Sequence, residues 1–357
     1  MNKRIVSNLY KSLLSYIFKT INGNIILSKK SIKEFVETKE IKNNFFQKKY
    51  FLYKIKNGSI FTDNTENVGV FFEKFLYGPA SFQQIDHHLK PAKYNSVLKK
   101  GTPKFKKKFK GRIFSVVQGG SGENYFHWLF DILPKFKILS FIFKLDKIDY
   151  LYLPDLKSFH YETLNLLKIP KKKIINSKLN PFISGEEIIL SEQPWWKKNY
   201  ALDNANVIPK WVIKWLRAKF LRFKKKFNSK KKIFIDRSDS VYRHCQIVNK
   251  YQLIKFLKKK NYKIYNLNKM KFVNQIYLFW NATNIISAHG AALSNLAFCK
   301  KGTKIIELKP YNHPGKIFKR ISKVNGLKHN FLVSKKKYLN NLEGDIFVDI
   351  VKLNKML

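Results

Sequence analysis

His127 and Asp131 stand four residues apart in NYFHWLFDILPKF. On a helix that spacing puts both side chains on one face, within reach of each other. An imidazole beside a carboxylate can take a proton from a hydroxyl, with either group as the base. The same pair can also do no more than stabilise its helix. Further along, Arg237 and Arg243 lie in FIDRSDSVYRHCQIVN. Guanidinium groups bind phosphate through paired hydrogen bonds and stay charged. Lysine is the common cation of this chain, so two arginines kept here either point to an anionic ligand or are simply two more of its 71 basic residues.

In SAHGAALSN, Ser287 to Asn295, His289 is followed by Gly290, Ala291 and Ala292. Small side chains let a ligand approach the backbone. A helix opening here would present free N–H groups and a positive dipole end, both suited to phosphate. His289 can donate to a phosphate oxygen, and Asn295 lies one turn further on. A tightly packed helix start would use the same residues with no ligand at all. Glu307, near the end of KIIEL, is one of only 23 acids. It can accept hydrogen bonds from ribose hydroxyls or pair with a neighbouring lysine. His87, His88 and His313 read as loop residues. No Cys, His and Asp cluster has the spacing of a metal site.

These residues need elements that present them. From Ile233 onward short apolar runs alternate with helical stretches of about ten residues, which predicts a parallel sheet covered on both faces. The strands are IFI, YKIY, NIIS and KIIEL; the helices are YQLIKFLKK, FVNQIYLFWNA and AALSNLAF. Arg237, His289 and Glu307 then fall near strand carboxyl ends, where such sheets bind ligands. The first half reads as mixed. Strand-like segments flank a turn at Asn57-Gly58, and a strand RIFSVV leads through the loop QGGSGEN into the helix carrying His127. That loop lacks both P-loop and dinucleotide spacing. A long helix follows Pro209, and the lysine run from Lys224 to Lys232 marks the expected boundary between halves.

The chain has 357 residues, 71 Lys and Arg against 23 Asp and Glu, and a formal charge of +48. Aromatics at 15% give it a core, unlike a disordered basic tail. Two cysteines exclude a disulfide scaffold. The excess of Lys, Asn, Ile, Phe and Tyr follows A/T-rich codons; attraction to nucleic acid or to an anionic membrane is the alternative source of the charge. At the N-terminus Asn8, Lys11, Ser12, Ser15 and Lys19 interrupt the apolar residues, unlike a signal peptide. Leu9, Leu13, Tyr16 and Ile17 at helical spacing suit a membrane-surface helix or a helix packed on its domain. No apolar run reaches the ~18–20 residues of a membrane span.

The order of NYFHWLFDILPKF, IDRSD…YR…VN and FVNQIYLFWNATNIISAHGAALSNLAFCKKGTKIIEL resembles glycosyltransferase family 61, over about Gly119 to Pro310. The family's motifs match at Asn124, His127 and Asp131, and at Arg237, Arg243, Asn249, His289, Gly290, Ala291, Asn295 and Glu307. Asp131 stands where many bacterial members have Glu, Lys250 where Glu is common, and Ala292 in place of a second glycine.

The resemblance implies an α/β, GT-B-like fold of two Rossmann-like domains facing each other across a cleft. It implies an inverting transfer of sugar from a UDP-sugar, without a metal or other cofactor, to a hydroxyl of a glycan or lipid-linked glycan. Asp131 is expected as the base, with His127 orienting it or acting in its place. Arg237, Arg243, His289, Gly290, Ala291, Asn295 and Glu307 are expected on the donor side. The expected organisation is a basic amphipathic segment 1–25, an acceptor-side domain 26–225, a nucleotide-sugar domain 226–334 and a tail 335–357. The chain is expected in the cytoplasm, peripheral to the inner membrane, with the anionic membrane surface as a further partner and nucleic acid not expected. The competing reading is a non-catalytic basic module that binds nucleic acid or anionic membrane.

Overall fold

The computed structural model describes residues 3–28, 34–46, 48–197, 199–224, 231–238, 244–311, 313–335 and 344–357, with the side chains of 3–8 and 11 outside the description. The chain divides into two units, Met1–Asn204 and Ala205–Leu357.

The first unit is built on a mixed sheet. One flank is antiparallel and includes Val36–Ile41, Tyr50–Lys56, Ser59–Thr62 and Val68–Phe72. The other is parallel, in the order Phe182–Ser191, Lys107–Ser115, Tyr150–Leu153, Ile174–Asn176. Lys107–Ser115 is earliest in the chain of these four. The next two strands add outward on one side of it, and Phe182–Ser191 returns to the other. The order therefore reverses between Lys107–Ser115 and Phe182–Ser191, and the space beyond the carboxyl ends at such a reversal is the usual ligand position in doubly wound sheets. Ile113, Phe114, Leu151, Tyr152, Ile188 and Ile189 are wholly buried, as strands covered on both faces require. The turn at Asn57-Gly58 is a bend and not a hairpin. The two flanking strands lie end to end along one neighbour, Phe182–Ser191. Gly58 is needed there because a Cβ would stand 2.9 Å from Ile188 Cγ1.

The second unit carries a five-stranded parallel sheet: the four strands that the alternation predicts, plus one beyond them. The order is Tyr262–Asn266, Lys231–Asp236, Ala282–Ala288, Lys304–Lys309, Lys328–Val333. Here the order reverses between Lys231–Asp236 and Ala282–Ala288. Crossovers are made by Lys250–Lys259, Phe272–Asn281, Ala291–Phe298 and Ile317–Asn325. Ala291–Phe298 is a 3₁₀ helix where an α-helix was expected: Leu293 N–H reaches back three residues to Gly290 O at 2.9 Å. The helix Lys210–Phe220 lies in this unit, where Arg217 donates to Ala297 O and Cys299 O, each at 2.7 Å. Residues 225–230 of the expected boundary are outside the described set. The described end of the tail, residues 344–357, joins the core, with Ile346, Val348 and Leu353 packed with Phe234, Leu253 and Leu257.

Candidate active site

In the first unit the segment after Lys107–Ser115 builds a carboxylate–imidazole pair. Asn124 caps the helix Tyr125–His127, its Oδ1 accepting from Phe126 N–H at 2.9 Å. The helix then widens at Trp128–Ile132, where Leu133 N–H reaches back five residues to Trp128 O, and continues as Leu133–Leu139. Pro134 explains the widening. It has no N–H for Phe130 O, and its ring would crowd that carbonyl in a regular helix. Trp195, from the segment after Phe182–Ser191, uses the released carbonyl: its Nε1 lies 3.2 Å from Phe130 O and 2.7 Å from Asp131 Oδ1. Gln118 Nε2 donates to Asp131 Oδ2 at 2.9 Å, and His127 Nδ1 donates to the same oxygen at 2.8 Å.

Asp131 is therefore enclosed, 1% exposed with three donors on its two oxygens, while the His127 side chain is 24% exposed. With Nδ1–H given to Asp131, Nε2 is the ring nitrogen open to an incoming proton. Burial works against the charged imidazole, but the Asp131 carboxylate and its hydrogen bond outweigh burial and raise the His127 pKa above 6.5.

The loop before this helix is pinned from both sides. Glu66 accepts from Gly122 N–H at 3.0 Å and Ser121 Oγ at 3.1 Å, and burial raises its pKa. His160 Nδ1 accepts from Lys157 N–H at 2.7 Å, so its Nε2–H faces Ser121 O at 3.3 Å; burial holds it neutral, pushed down to about 4. Gly120, at φ +77°, lies against His127, where a Cβ would come within 3.3 Å of Cδ2. One turn past Asp131, Lys135 is 2% exposed and donates to Val116 O at 3.1 Å. Burial pushes it down to about 7, against the pull of Asp131.

In the second unit the order reversal brings Arg237 and His289 together. Arg237 directly follows Lys231–Asp236, His289 directly follows Ala282–Ala288, and the guanidinium donates to His289 O. Gly290 is at φ +149°, and a Cβ there would run into that guanidinium. The positive φ favours glycine, and any larger residue would have to displace the guanidinium. Behind the turn, His289 Nδ1 donates to Glu307 Oε1 at 2.5 Å, His329 Nε2 to Glu307 Oε2 at 2.9 Å, and Ser322 Oγ lies 2.7 Å from His329 Nδ1. Glu307 is 1% exposed. Burial would raise its pKa, but the bonds to His289 and His329 hold it well below 4.5. The carboxylate expected to meet ribose thus stands behind His289, with both oxygens taken by imidazoles.

Asn295 is buried and donates to Gln275 Oε1 at 2.9 Å and Ala292 O at 3.1 Å, which holds the 3₁₀ turn. Asn249 exchanges two hydrogen bonds with Val348, 2.8 and 2.9 Å, fastening the tail. Lys250 pairs with Asp236 at 2.7 Å. His313, read as a loop residue without ligand-like company, has its ring centroid 4.0 Å from that of His289; burial, with His289 and Lys309 beside it, pushes its pKa down to about 3. Arg243 lies outside the described residues.

Sequence reasoning missed Trp195, Gln118, Glu66, His160 and His329. Trp195 and Glu66 are remote in sequence from the pair they support. His329 sits on a strand that the alternation did not extend to include. Among the described residues no group of three or more His, Cys, Asp or Glu could hold a metal ion, and no helix is long and apolar enough to cross a membrane.

A family model described as Glycosyltransferase 61 matches residues 125–306, just over half the chain, a span that includes His127, Asp131, Arg237 and His289. No curated protein matches the chain.

Proposed function

The chain belongs to glycosyltransferase family 61, and from that premise we propose that it transfers a sugar, with inversion, from a UDP-sugar to a hydroxyl of a surface or lipid-linked glycan. The hydroxyl oxygen attacks the anomeric carbon and its proton passes to His127 Nε2. The bond from that carbon to the diphosphate oxygen breaks, and its electron pair leaves with the diphosphate. Asp131 holds the His127 tautomer and balances the imidazolium charge as it forms. This reverses the emphasis of the sequence reading, in which Asp131 was the expected base.

Arg237, His289 and the N–H groups opening Ala291–Phe298 are proposed to stabilise the departing diphosphate, with Arg243 as a further cation. Glu307 is a positioning residue in this reading: it fixes His289 with Nε2 available to a phosphate oxygen. Side-chain cations and backbone N–H groups fill the role a metal would otherwise have, so activity should survive chelation. The GT-B reading gives acceptor chemistry to the first unit and donor binding to the second. The basic surface suits peripheral attachment at the cytoplasmic face of the membrane.

One observation carries the reading: a carboxylate with three donors, bonded to a partly exposed histidine, inside the matched span. A basic module without catalysis would use that pair only to stabilise its helix. The test is a binding screen of nucleotides and nucleotide sugars against the full chain, then transfer or hydrolysis of whichever binds. UDP binding with sugar release that is lost in His127→Ala supports the proposal. Binding of nucleic acid that persists at moderate salt, with no nucleotide-sugar binding, overturns it.

A further inference from the structure

The N-terminal helix Lys3–Asn22 is mounted with its apolar side outward. At helical spacing Leu9, Leu13, Tyr16 and Ile17 share one broad arc, bordered by Tyr10 and Ile21. All six are exposed, from 41% for Ile17 to 73% for Tyr16. The opposite arc faces the protein. Ser15 Oγ donates to Lys100 O at 2.7 Å, Asn22 Nδ2 donates to Thr102 O at 2.9 Å and Lys104 O at 3.1 Å, and Phe18 packs edge-on against Phe105 at 5.0 Å. A helix that merely covers its own domain turns the other way, apolar side in. Here Ser15 and Asn22 grip backbone carbonyls on the inner side beside the buried Phe18, and six other large apolar residues are left in water.

Charge identifies what such a face would meet. The helix contains no Asp or Glu, and the first acid of the chain is Glu34. The segment it sits on is likewise free of acids from His87 to Gly122, and it carries Lys99, Lys100, Lys104 and Lys106–Lys108. An apolar arc above a basic, acid-free stretch matches anionic phospholipid, whose headgroups attract the cations while the boundary below takes up the side chains. A second copy of the chain would bring the same cations against one another, so self-association through this face is opposed by charge. The helix is too polar to span a bilayer.

We propose that Lys3–Asn22 is an interfacial anchor that lies in the plane of an anionic bilayer surface, with Leu9, Leu13, Tyr16 and Ile17 below the headgroups. This does not depend on the transferase reading. It differs from attraction by charge alone, because apolar insertion resists salt and ionic attraction does not.

The test uses the full chain and co-sedimentation with vesicles of phosphatidylcholine alone, or of phosphatidylcholine and phosphatidylglycerol in equal parts. Binding to the phosphatidylglycerol vesicles is expected, weakened but not abolished at about 0.5 M salt. The double variant Leu13→Asp, Tyr16→Asp should lower that binding at least about tenfold and remove the salt-resistant fraction. Both side chains are exposed, so its thermal midpoint should match the wild type. Equal vesicle binding by the variant, or wild-type binding wholly lost at high salt, would reduce the attachment to charge and overturn the proposal. A wild-type dimer that ignores vesicles and becomes monomeric in the double variant would overturn it in favour of a protein interface.

Discussion

Trp195 Nε1 lies 2.7 Å from Asp131 Oδ1, joining the segments that follow Lys107–Ser115 and Phe182–Ser191. That contact crosses the point where the first unit's strand order reverses. Arg237 and His289 make the equivalent link in the second unit. In both units, therefore, a side chain from one side of the reversal secures a candidate site residue from the other.

The first prediction separates base from partner. His127→Ala should lower turnover by about 10²–10⁴, with UDP affinity nearly unchanged. The acidic limb of the wild-type kcat/KM profile should lie above pH 6.5, because a base raised by Asp131 must still lose its proton to act. In Asp131→Asn that support is gone and burial remains, so the limb should move to lower pH and turnover should fall. A limb that stays in place means His127 is not the titrating base.

Trp195→Phe keeps most of the ring volume and removes the N–H on Asp131. A hydrogen bond to a charged group contributes about 1.5–3 kcal/mol, so turnover should fall by roughly tenfold or more with little change in donor KM. Unchanged kinetics would make the contact one of packing alone.

Gly290→Ala should weaken UDP binding by at least about tenfold, since the new Cβ drives against the Arg237 guanidinium at a φ that only glycine holds comfortably. Isothermal titration with UDP measures this. Full affinity would exclude the Arg237–Gly290 turn from the donor site.

Glu307→Gln tests the histidine clamp through pH. A carboxylate with its folded pKa held below 4.5 contributes stability that is present above pH 4.5 and lost as pH falls through the folded value. The variant should melt lower than the wild type at neutral pH, and the gap should close on acidification. A gap independent of pH would mean that Glu307 is not held as a charged group.

Lys135 has the opposite sign. Its folded pKa, near 7, lies below its unfolded 10.5, so it opposes folding at neutral pH and ceases to do so as pH rises between those values. Lys135→Met should flatten the rise in melting temperature over that window. If the slope is the same in both proteins, the lysine is not buried in the way described.

The second unit's architecture was legible because buried parallel strands are short apolar runs and their crossover helices repeat at a regular spacing. His127 with Asp131 was legible because four residues along a helix is a distance, and that local geometry survived the widened turn. Arg237 and His289 could be placed at strand ends, since a strand end is a local event. Which strands are neighbours is not local. Only the tertiary structure set Trp195 and Gln118 on Asp131, Glu66 on the glycine loop and His329 on Glu307. Gln118 reaches Asp131 across the loop between strand and helix, and the other three bonds join segments that sheet order brings together; nothing in the spacing of residues encodes that order. The same holds for the N-terminal helix. Its apolar arc can be read from the residues, but whether that arc faces the core or water depended on Ser15, Phe18 and Asn22 finding Lys100, Thr102, Lys104 and Phe105, some eighty residues away.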